Sequence, residues 1–269
     1  MSGQYKSHFK GQGMQFSEHR LYVEGDDIRH IDWKVSARSR DPMIKKYEEE
    51  RELTVFLVVD VSKSGDFGSA GKLKAEAAAE IGGMLAYAAM HSGDKVGALL
   101  FAGDVELIIP PQKGQKHVLR IIREILSHRS TSSGTNLRGA LDAAGRIMKH
   151  SGVVFVISDF IAKGYESALN RLGRRHDLIA ISIADQRERE IPDVGQILLA
   201  DPETGEERLV DTGSYAFKKW HKEWVAVQDA QTLQALRAGN VESLRISTQE
   251  DYAEAVIRFF RIRAKRRKR

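Results

Sequence analysis

Four predominantly apolar runs recur along the chain from residue 53 onward, and segments with apolar residues at helical spacing separate them. The runs are residues 54–59, 95–101, 153–157 and 177–183, and the helical segments include 72–89, 118–128 and 137–150. Strands that alternate with helices are typical of a parallel sheet with crossover helices. The pattern predicts an α/β fold with a doubly wound, mostly parallel sheet over residues 53–264.

Three further segments complete the predicted organisation. Residues 105–109 are expected to pair with the preceding strand through a tight turn at Gly103 and Asp104. Residues 196–210 indicate a β-hairpin inserted into the α/β domain, and residues 252–263 indicate a terminal helix. Residues 1–52 have poor periodicity and contain several glycines and aromatic residues, which favours short strands and ordered loops in a separate amino-terminal segment.

Composition narrows the class of protein. The chain has 269 residues, of which 42% are hydrophobic and none is cysteine, as expected of a globular protein in a reducing compartment. No uncharged apolar stretch is long enough to cross a bilayer, and residues 1–6 carry no apolar signal segment. These features predict a cytoplasmic location.

Positive charge is concentrated at the carboxyl end of the chain. The net charge is +5, and residues 265–269 form a basic tail without an apolar side chain to bury. We expect this tail to be disordered, either as a solvated helix end or as a weak contact for anionic membranes. The chain shows neither a stacking-aromatic motif nor zinc-knuckle spacing, so no specific nucleic-acid binding is expected.

Polar side chains follow two of the predicted strands at the point where each strand ends. Asp60, Ser62 and Ser64 come directly after the first strand, and Asp159 follows the run 153–157. If these strands are parallel neighbours, both carboxylates emerge at the same sheet edge, where open α/β sheets bind ligands. Thr135 adds a hydroxyl on a glycine-containing loop before a helix. Such hard oxygen ligands suit a small divalent cation, although each residue alone could be a helix cap.

The order Asp-x-Ser-x-Ser, then Thr, then Asp resembles the metal-ion-dependent adhesion site of von Willebrand factor A domains. The resemblance implies a von Willebrand A-like fold in which Asp60, Ser62, Ser64, Thr135 and Asp159 hold Mg²⁺ or Mn²⁺ directly or through water. It also implies that an acidic side chain of a protein partner supplies a remaining ligand. A degenerate site that keeps the fold without binding metal is the alternative.

The amino-terminal segment carries a second motif. It comprises Phe16, Glu18, Arg20, Tyr22, Gly25, Asp26, Asp27, Arg29, Ile31, Asp32 and Trp33, followed by Ser36, Ala37 and Arg38. This string resembles the family called domain of unknown function 58, whose bacterial and archaeal members are commonly encoded near MoxR-type AAA+ ATPases. The resemblance implies a non-enzymatic adaptor or co-chaperone that works with such an ATPase.

Two interpretations of the amino-terminal motif stay open. In the first it is a structural turn, in which Gly25 bends the chain, the acidic residues cap and Trp33 anchors the segment. In the second it is a docking surface for the partner, formed by Arg20, Arg29, Asp32, Trp33 and Arg38.

An enzymatic function is the alternative to the adaptor. A haloacid-dehalogenase-like, Mg²⁺-dependent phosphatase would use Asp60 as its nucleophile. Such an enzyme places a second Asp two residues later as the general acid, and here Ser62 occupies that place, so proton transfer lacks its group.

Overall fold

A computed structural model describes residues 14–39, 41–49, 53–69, 73–200 and 207–266. The chain divides into two compact units, a small one within Phe9–Leu53 and a larger one that includes Thr54–Arg269. Among the described residues, no helix has both the length and the apolar character that a membrane span needs.

The small unit pairs two antiparallel strands and carries one short helix. Its elements are β1 (Met14–Leu21), α1 (Trp33–Ser39) and β2 (Met43–Glu49). Between β1 and α1 the chain turns at Gly25, whose φ of 106° lies in a region that favours glycine. The Asp27 carboxylate then accepts a hydrogen bond from the backbone N–H of Arg29 and caps a 3₁₀ turn. Short strands are present here as expected, whereas helix α1 was not predicted.

The larger unit contains strands and helices in near alternation. Its strands are β3 (Thr54–Asp60), β4 (Lys95–Phe101), β5 (Val105–Gln112), β6 (Val153–Ser158), β7 (Asp177–Ala184), β8 (Gln196–Ala200), β9 (Glu207–Asp211) and β10 (Glu242–Ser247). Its helices are α2 (Lys74–His91), α3 (Gln115–Ser127), α4 (Leu137–Ile147), α5 (Glu166–Arg175), α6 (Gln186–Arg189), α7 (Tyr215–Ala238) and α8 (Tyr252–Arg266).

Six strands form a central sheet in the order β10-β7-β6-β3-β4-β5. All neighbours are parallel except β4 and β5, which are antiparallel. The chain runs from β3 to β4 and β5 on one side, then returns to β6 on the other side. Strand order therefore reverses between β3 and β6, which is where open α/β sheets form a ligand-binding crevice. The predicted mostly parallel sheet is confirmed.

Helices cover both faces of this sheet, and β3 shows how its sequence serves both. Val55, Leu57 and Val59 lie in the core layer that contains α2, α3 and α8. Phe56 and Val58 lie in the opposite layer with α4 and α5. Each such side chain contributes about 1.5–3 kcal/mol when fully buried. Burial on both faces explains why residues 55–59 of this strand are all uncharged.

Two segments outside the central sheet differ in how far the structure follows the prediction. Strands β8 and β9 pair antiparallel, from Gln196 with Asp211 to Ala200 with Glu207, at the predicted hairpin. Its predicted turn at 202–205 lies outside the described residues. Helix α8 includes Lys265 and Arg266, so it extends into the tail that was expected to be disordered. The remaining tail residues, 267–269, lie outside the described residues.

Candidate functional site

The first half of the site is the loop that follows β3. Asp60 is the last residue of the strand, and its Oδ1 accepts a hydrogen bond of 3.0 Å from the backbone N–H of Ser62. This contact turns the chain sharply into a 3₁₀ turn at Lys63–Asp66. The Oγ atoms of Ser62 and Ser64 consequently lie 2.9 Å apart, within one compact loop.

The end of β6 supplies the second half. Ser158, the last residue of that strand, donates from its Oγ to Asp60 Oδ2 over 2.7 Å. The next residue, Asp159, accepts a hydrogen bond from Ser64 Oγ at its Oδ2, over 3.2 Å. Because β3 and β6 are parallel neighbours, residues almost one hundred positions apart converge here. Four of the five predicted metal ligands are thus assembled in one place.

The geometry of these oxygens is compatible with a small divalent cation. Neighbouring oxygens around an octahedral Mg²⁺ at 2.0–2.1 Å are about 2.9 Å apart. The pair of serine hydroxyls and the pair of Ser64 Oγ and Asp159 Oδ2 have separations near this value. Asp60, Ser64 and Asp159 also line a cavity of about 20 Å³, which exceeds the roughly 10–15 Å³ that one water molecule needs. The residues therefore fit the cation that the sequence implies.

The donor set combines two carboxylates with hydroxyl groups. Within the described part of the chain, no group of three or more His, Cys, Asp or Glu side chains is arranged to hold a metal ion. Any cation at this site would consequently keep several water ligands, as Mg²⁺ usually does in proteins.

The fifth predicted ligand, Thr135, lies on the loop before α4. The backbone N–H of the next residue, Asn136, donates to the carbonyl of Ala102 at the end of β4, over 2.7 Å. Gly103 lets this loop approach closely, because a Cβ at that position would collide with the carbonyl of Ser133. Thr135 therefore reaches the carboxyl edge of the sheet, but it does not line the small cavity.

A glutamate on β5, whose side chain is only 6% exposed, fixes the same loop. Glu106 accepts hydrogen bonds from the hydroxyls of Ser130 and Ser132, from the backbone N–H groups of Thr131 and Ser132, and from His128. Burial raises the pKa of Glu106, but hydrogen bonds from Ser132, His128 and Ser130 outweigh it and lower the pKa to about 2. The loop that carries Thr135 is thereby held by an ionised carboxylate.

The two site carboxylates experience different electrostatic surroundings. Burial, and next the nearby charge of Asp159, raise the pKa of Asp60 to about 6. Asp159 instead accepts a hydrogen bond from the ammonium group of Lys74, over 3.0 Å. Lys74 begins helix α2, is only 4% exposed, and also contacts Glu188 Oε1 over 2.6 Å. Burial lowers the pKa of Lys74, but the carboxylates of Asp159 and Glu188 outweigh it, so the net direction is upward.

A further buried carboxylate at this edge was missed by the sequence analysis. Asp185 directly follows β7 and is fully buried. It accepts hydrogen bonds from the Oγ and the backbone N–H of Ser69, the hydroxyl of Thr248 and the backbone N–H of Arg187. Burial raises the pKa of Asp185, but these hydrogen bonds lower it to about 2. Its place after a buried strand is the same signal that identified Asp60.

In the small unit, two predicted docking residues pair with their own neighbours. Arg20 donates two hydrogen bonds to Asp26, over 2.7 and 2.6 Å. Arg29 donates to the Asp27 carboxylate from its Nε and Nη2 atoms, and the shorter of these contacts, from Nη2, is 2.7 Å. These guanidinium groups are therefore engaged with carboxylates of the same turn.

The other three predicted docking residues differ in exposure and contacts. Asp32 receives hydrogen bonds from the backbone N–H groups of Lys34 and Val35, so it caps α1, and its other contacts are with His19 and Lys45. The hydrogen bond from His19 contributes most to lowering the pKa of Asp32 to about 2. Trp33 is 67% exposed, and Arg38 is exposed in the last turn of α1. Both interpretations of Trp33, as an anchor of the segment and as a docking contact, stay predictions.

The family described as "Protein of unknown function DUF58" matches residues 18–231, which include the amino-terminal motif from Glu18 onward and the candidate metal ligands Asp60 and Asp159. The chain belongs to the DUF58 family. Two uncharacterised mycobacterial proteins, from Mycobacterium bovis and Mycobacterium tuberculosis, are each 30% identical to this DUF58 chain over 262 residues. Each alignment covers 96% of this chain and 82% of the relative.

Solved structures with little sequence similarity share the fold of this DUF58 protein. The conserved hypothetical protein BatB from Bacteroides thetaiotaomicron aligns with a TM-score of 0.51 and 14% identity, over 80% of this chain and 99% of BatB. An aerotolerance-related membrane protein from Bacteroides fragilis aligns with a TM-score of 0.52 and 16% identity, over 78% and 98% of the two chains. At these identities the similarity concerns the fold alone.

Proposed function

We propose that this chain is a metal-dependent protein-binding adaptor with a von Willebrand A-like domain, and that its partner is a MoxR-type AAA+ ATPase. The convergence of Asp60, Ser62, Ser64 and Asp159 at the strand-order reversal carries this proposal. These residues come from two strands and one tight loop, and their oxygens have the spacing of adjacent ligands of a small cation.

The roles of these residues follow from their contacts. Asp60 would provide the charged ligand, since its other contacts are with the neutral donors of Ser62 and Ser158. Ser62 and Ser64 would provide hydroxyl ligands, and Asp159 would hold Ser64 in place through its hydrogen bond. A bound Mg²⁺ or Mn²⁺ would supply a Lewis-acidic position for one carboxylate of the partner. Binding then depends on an acidic side chain of the right reach, which gives specificity from few contacts.

The amino-terminal unit is proposed as the second contact. Exposure of Trp33 favours docking, because a large aromatic side chain at the surface is a frequent anchor of protein interfaces. Arg38 is also exposed in helix α1. Arg20 and Arg29 would contact a partner only if its acidic groups shared or replaced Asp26 and Asp27.

The alternative of a phosphatase-like hydrolase has weaker support. Asp60 lies where the nucleophilic carboxylate of such an enzyme would lie. The residue two positions later, where the enzyme needs an acidic side chain, is Ser62, which has only a hydroxyl group. That hydroxyl is hydrogen-bonded to Ser64 and has no acidic proton to give a leaving group near neutral pH.

Affinity capture from the native cell tests the adaptor proposal. The full chain is used as bait in Mg²⁺ or in EDTA, and the expected result is recovery of an AAA+ ATPase in Mg²⁺ only. Asp159→Ala should lose this partner while keeping its circular dichroism spectrum. Asp142→Ala is the matched control, because Asp142 pairs with Arg171 on the surface of α4 and α5. Normal ATPase capture by folded Asp60→Ala and Asp159→Ala proteins would remove the metal edge from the interface.

Trp33→Ala tests the second contact in the same assay. Because this side chain is mostly exposed, its removal should reduce ATPase capture without lowering the melting temperature. Lys34→Ala, on the same exposed turn of α1, serves as the control. Unchanged capture by the tryptophan variant would exclude α1 from the interface.

A further inference from the structure

A buried lysine lies inside the candidate metal edge and was not part of the predicted ligand set. The Nζ atom of Lys74 is 3.0 Å from Asp159 Oδ2 and 2.6 Å from Glu188 Oε1. Lys74 and Asp159 are almost fully buried, with side chains 4% and 8% exposed. Lys74 also lines the small cavity together with Asp60, Ser64 and Asp159. The ammonium group of Lys74 therefore lies beside the position proposed for a divalent cation.

Lys74 gives the two site carboxylates, Asp60 and Asp159, different electrostatic surroundings. Both oxygens of Asp159 already have donors in the protein, since Oδ2 accepts from Lys74 and Ser64 while Oδ1 accepts from the backbone N–H of Ile161. Asp60 receives its hydrogen bonds from neutral groups. Lys74 thus compensates only part of the charge of Asp159, because it also pairs with Glu188, whereas the hydrogen bonds of Asp60 come from neutral groups and leave its charge for a cation.

We propose that Lys74 sets the charge of the metal edge, so that the bound cation keeps more positive charge for an acidic group of the partner. This inference rests on the proposed function. A divalent cation beside Asp60 and an Asp159 that Lys74 partly compensates keeps more positive charge than a cation shared by two uncompensated carboxylates. Lys74 gives up some metal affinity, because like charges repel, and gains affinity for an anionic ligand at the metal.

Glu188 tunes this effect from the other side. Its carboxylate shares the Lys74 ammonium with Asp159 and is more exposed, at 26%. Helix α6 holds it there, because Glu188 also accepts a hydrogen bond from the backbone N–H of Asp185. Removing the charge of Glu188 leaves the lysine less compensated, so its repulsion of a nearby cation increases. Lys74 and Glu188 should therefore affect metal binding in opposite directions.

The test compares wild type, Lys74→Met, Lys74→Arg and Glu188→Gln as full-length chains. Mn²⁺ affinity is measured by calorimetry with the metal alone. Acetate, a minimal carboxylate probe, is then added to the Mn²⁺-loaded protein, and its binding is followed by water-proton relaxation. Methionine keeps the length and apolar stem of lysine without its charge, and arginine keeps the charge.

Lys74→Met should bind Mn²⁺ about tenfold more tightly and acetate about tenfold more weakly, because one buried positive charge has been removed. Glu188→Gln should bind Mn²⁺ a few-fold more weakly and acetate at least as tightly. Lys74→Arg should stay near wild type in both measurements. If Lys74→Met does not fold, Glu188→Gln against wild type still gives the sign of the effect.

Two results would overturn the inference at different levels. A wild type that binds Mn²⁺, with Lys74→Met and Glu188→Gln equal to it or shifted in the same direction, would refute the role of Lys74 while leaving the metal site in place. A folded wild type that binds no Mn²⁺ would refute the proposed function and this inference together.

Discussion

Asp60 and Asp185 lie at the ends of strands on the same sheet edge, yet their surroundings shift their pKa values in opposite directions. Asp60 ends β3 and Asp185 directly follows β7, so both lie at the carboxyl edge of the central sheet, Asp60 half-buried and Asp185 fully buried. Four hydrogen bonds surround Asp185 and lower its pKa to about 2. Burial and the facing charge of Asp159 raise the pKa of Asp60 to about 6.

The difference separates a structural carboxylate from one that is suited to a ligand. Asp185 links β7, β10 and the loop after β3, because Ser69 and Thr248 donate to it from distant parts of the chain. Asp60 is partly desolvated, has fewer donors and lies near a like charge, an arrangement that destabilises the ionised form when no cation is bound. Such local destabilisation is common where function requires an incompletely satisfied group.

The largest expected effect comes from removing Asp185. Asp185→Ala should lower the free energy of unfolding by about 3–5 kcal/mol, because several buried donors lose their acceptor at once. Urea unfolding in EDTA measures this change, and Asp142→Ala on the surface of α4 should stay within about 0.5 kcal/mol of wild type. A loss as small as that of the control would mean that Asp185 is not the link between these elements.

Asp60→Asn should change the free energy of unfolding in the opposite direction. In EDTA near pH 7.5 it should raise the free energy of unfolding by about 1–3 kcal/mol, because a buried charge with a raised pKa is replaced by a neutral group of the same shape. Adding Mg²⁺ should stabilise wild type and leave Asp60→Asn unchanged, since only a protein that binds the ligand in its native state gains stability. Equal Mg²⁺ shifts in both proteins would exclude Asp60 as a ligand.

The pH dependence of stability should divide the two carboxylates in the same way. The folded-state pKa of Asp60, about 6, is above its ordinary value of 3.8. Its contribution to the free energy of unfolding is therefore fully present below pH 3.8 and is lost as pH rises through 6. The folded-state pKa of Asp185 is about 2, so its contribution is complete above 3.8 and is lost as pH falls through 2.

Unfolding free energies of wild type, Asp60→Asn and Asp185→Asn in EDTA, measured across the acid range, check this division. The gap between wild type and Asp60→Asn should open as pH rises from 3.8 to 6. The gap between wild type and Asp185→Asn should close as pH falls from 3.8 to 2. Two gaps that change over the same pH range would show that both carboxylates share one environment.

The sequence identified the edge of the sheet but not the full set of groups that meets there. The uncharged runs that became β3 and β6, each followed by a carboxylate, were enough to bring Asp60 and Asp159 together. Lys74 could not be found in this way, because it begins an alanine-rich helix and is buried only through Asp159 and Glu188, which lie 85 and 114 residues away. Long-range ion pairs of this kind leave no local pattern.

Other omissions had a local signal that was not used. Asp185 follows an apolar strand, as a candidate ligand would, and Ser158 directly precedes Asp159 with a hydroxyl at the strand end. Sequence position could not distinguish Asp185 from Asp60, because the distinction depends on donors from Ser69 and Thr248 that fold against only one of them. The chain pattern thus predicts where carboxylates gather, and the surrounding hydrogen bonds decide their charge state.

The smallest expected effect isolates how Asp159 contributes to the difference between Asp60 and Asp185. Burial is the larger cause of the raised pKa of Asp60, and the charge of Asp159 is the second. Asp60→Asn should therefore stabilise an Asp159→Asn protein slightly less than it stabilises wild type, by about 0.5–1 kcal/mol for residues in one network. A double-mutant cycle from urea unfolding in EDTA measures this coupling, and the pair Asp60→Asn with Asp142→Asn should be additive. A coupling as large as the whole effect of Asp60→Asn would make repulsion by Asp159, rather than burial, the reason that Asp60 behaves unlike Asp185.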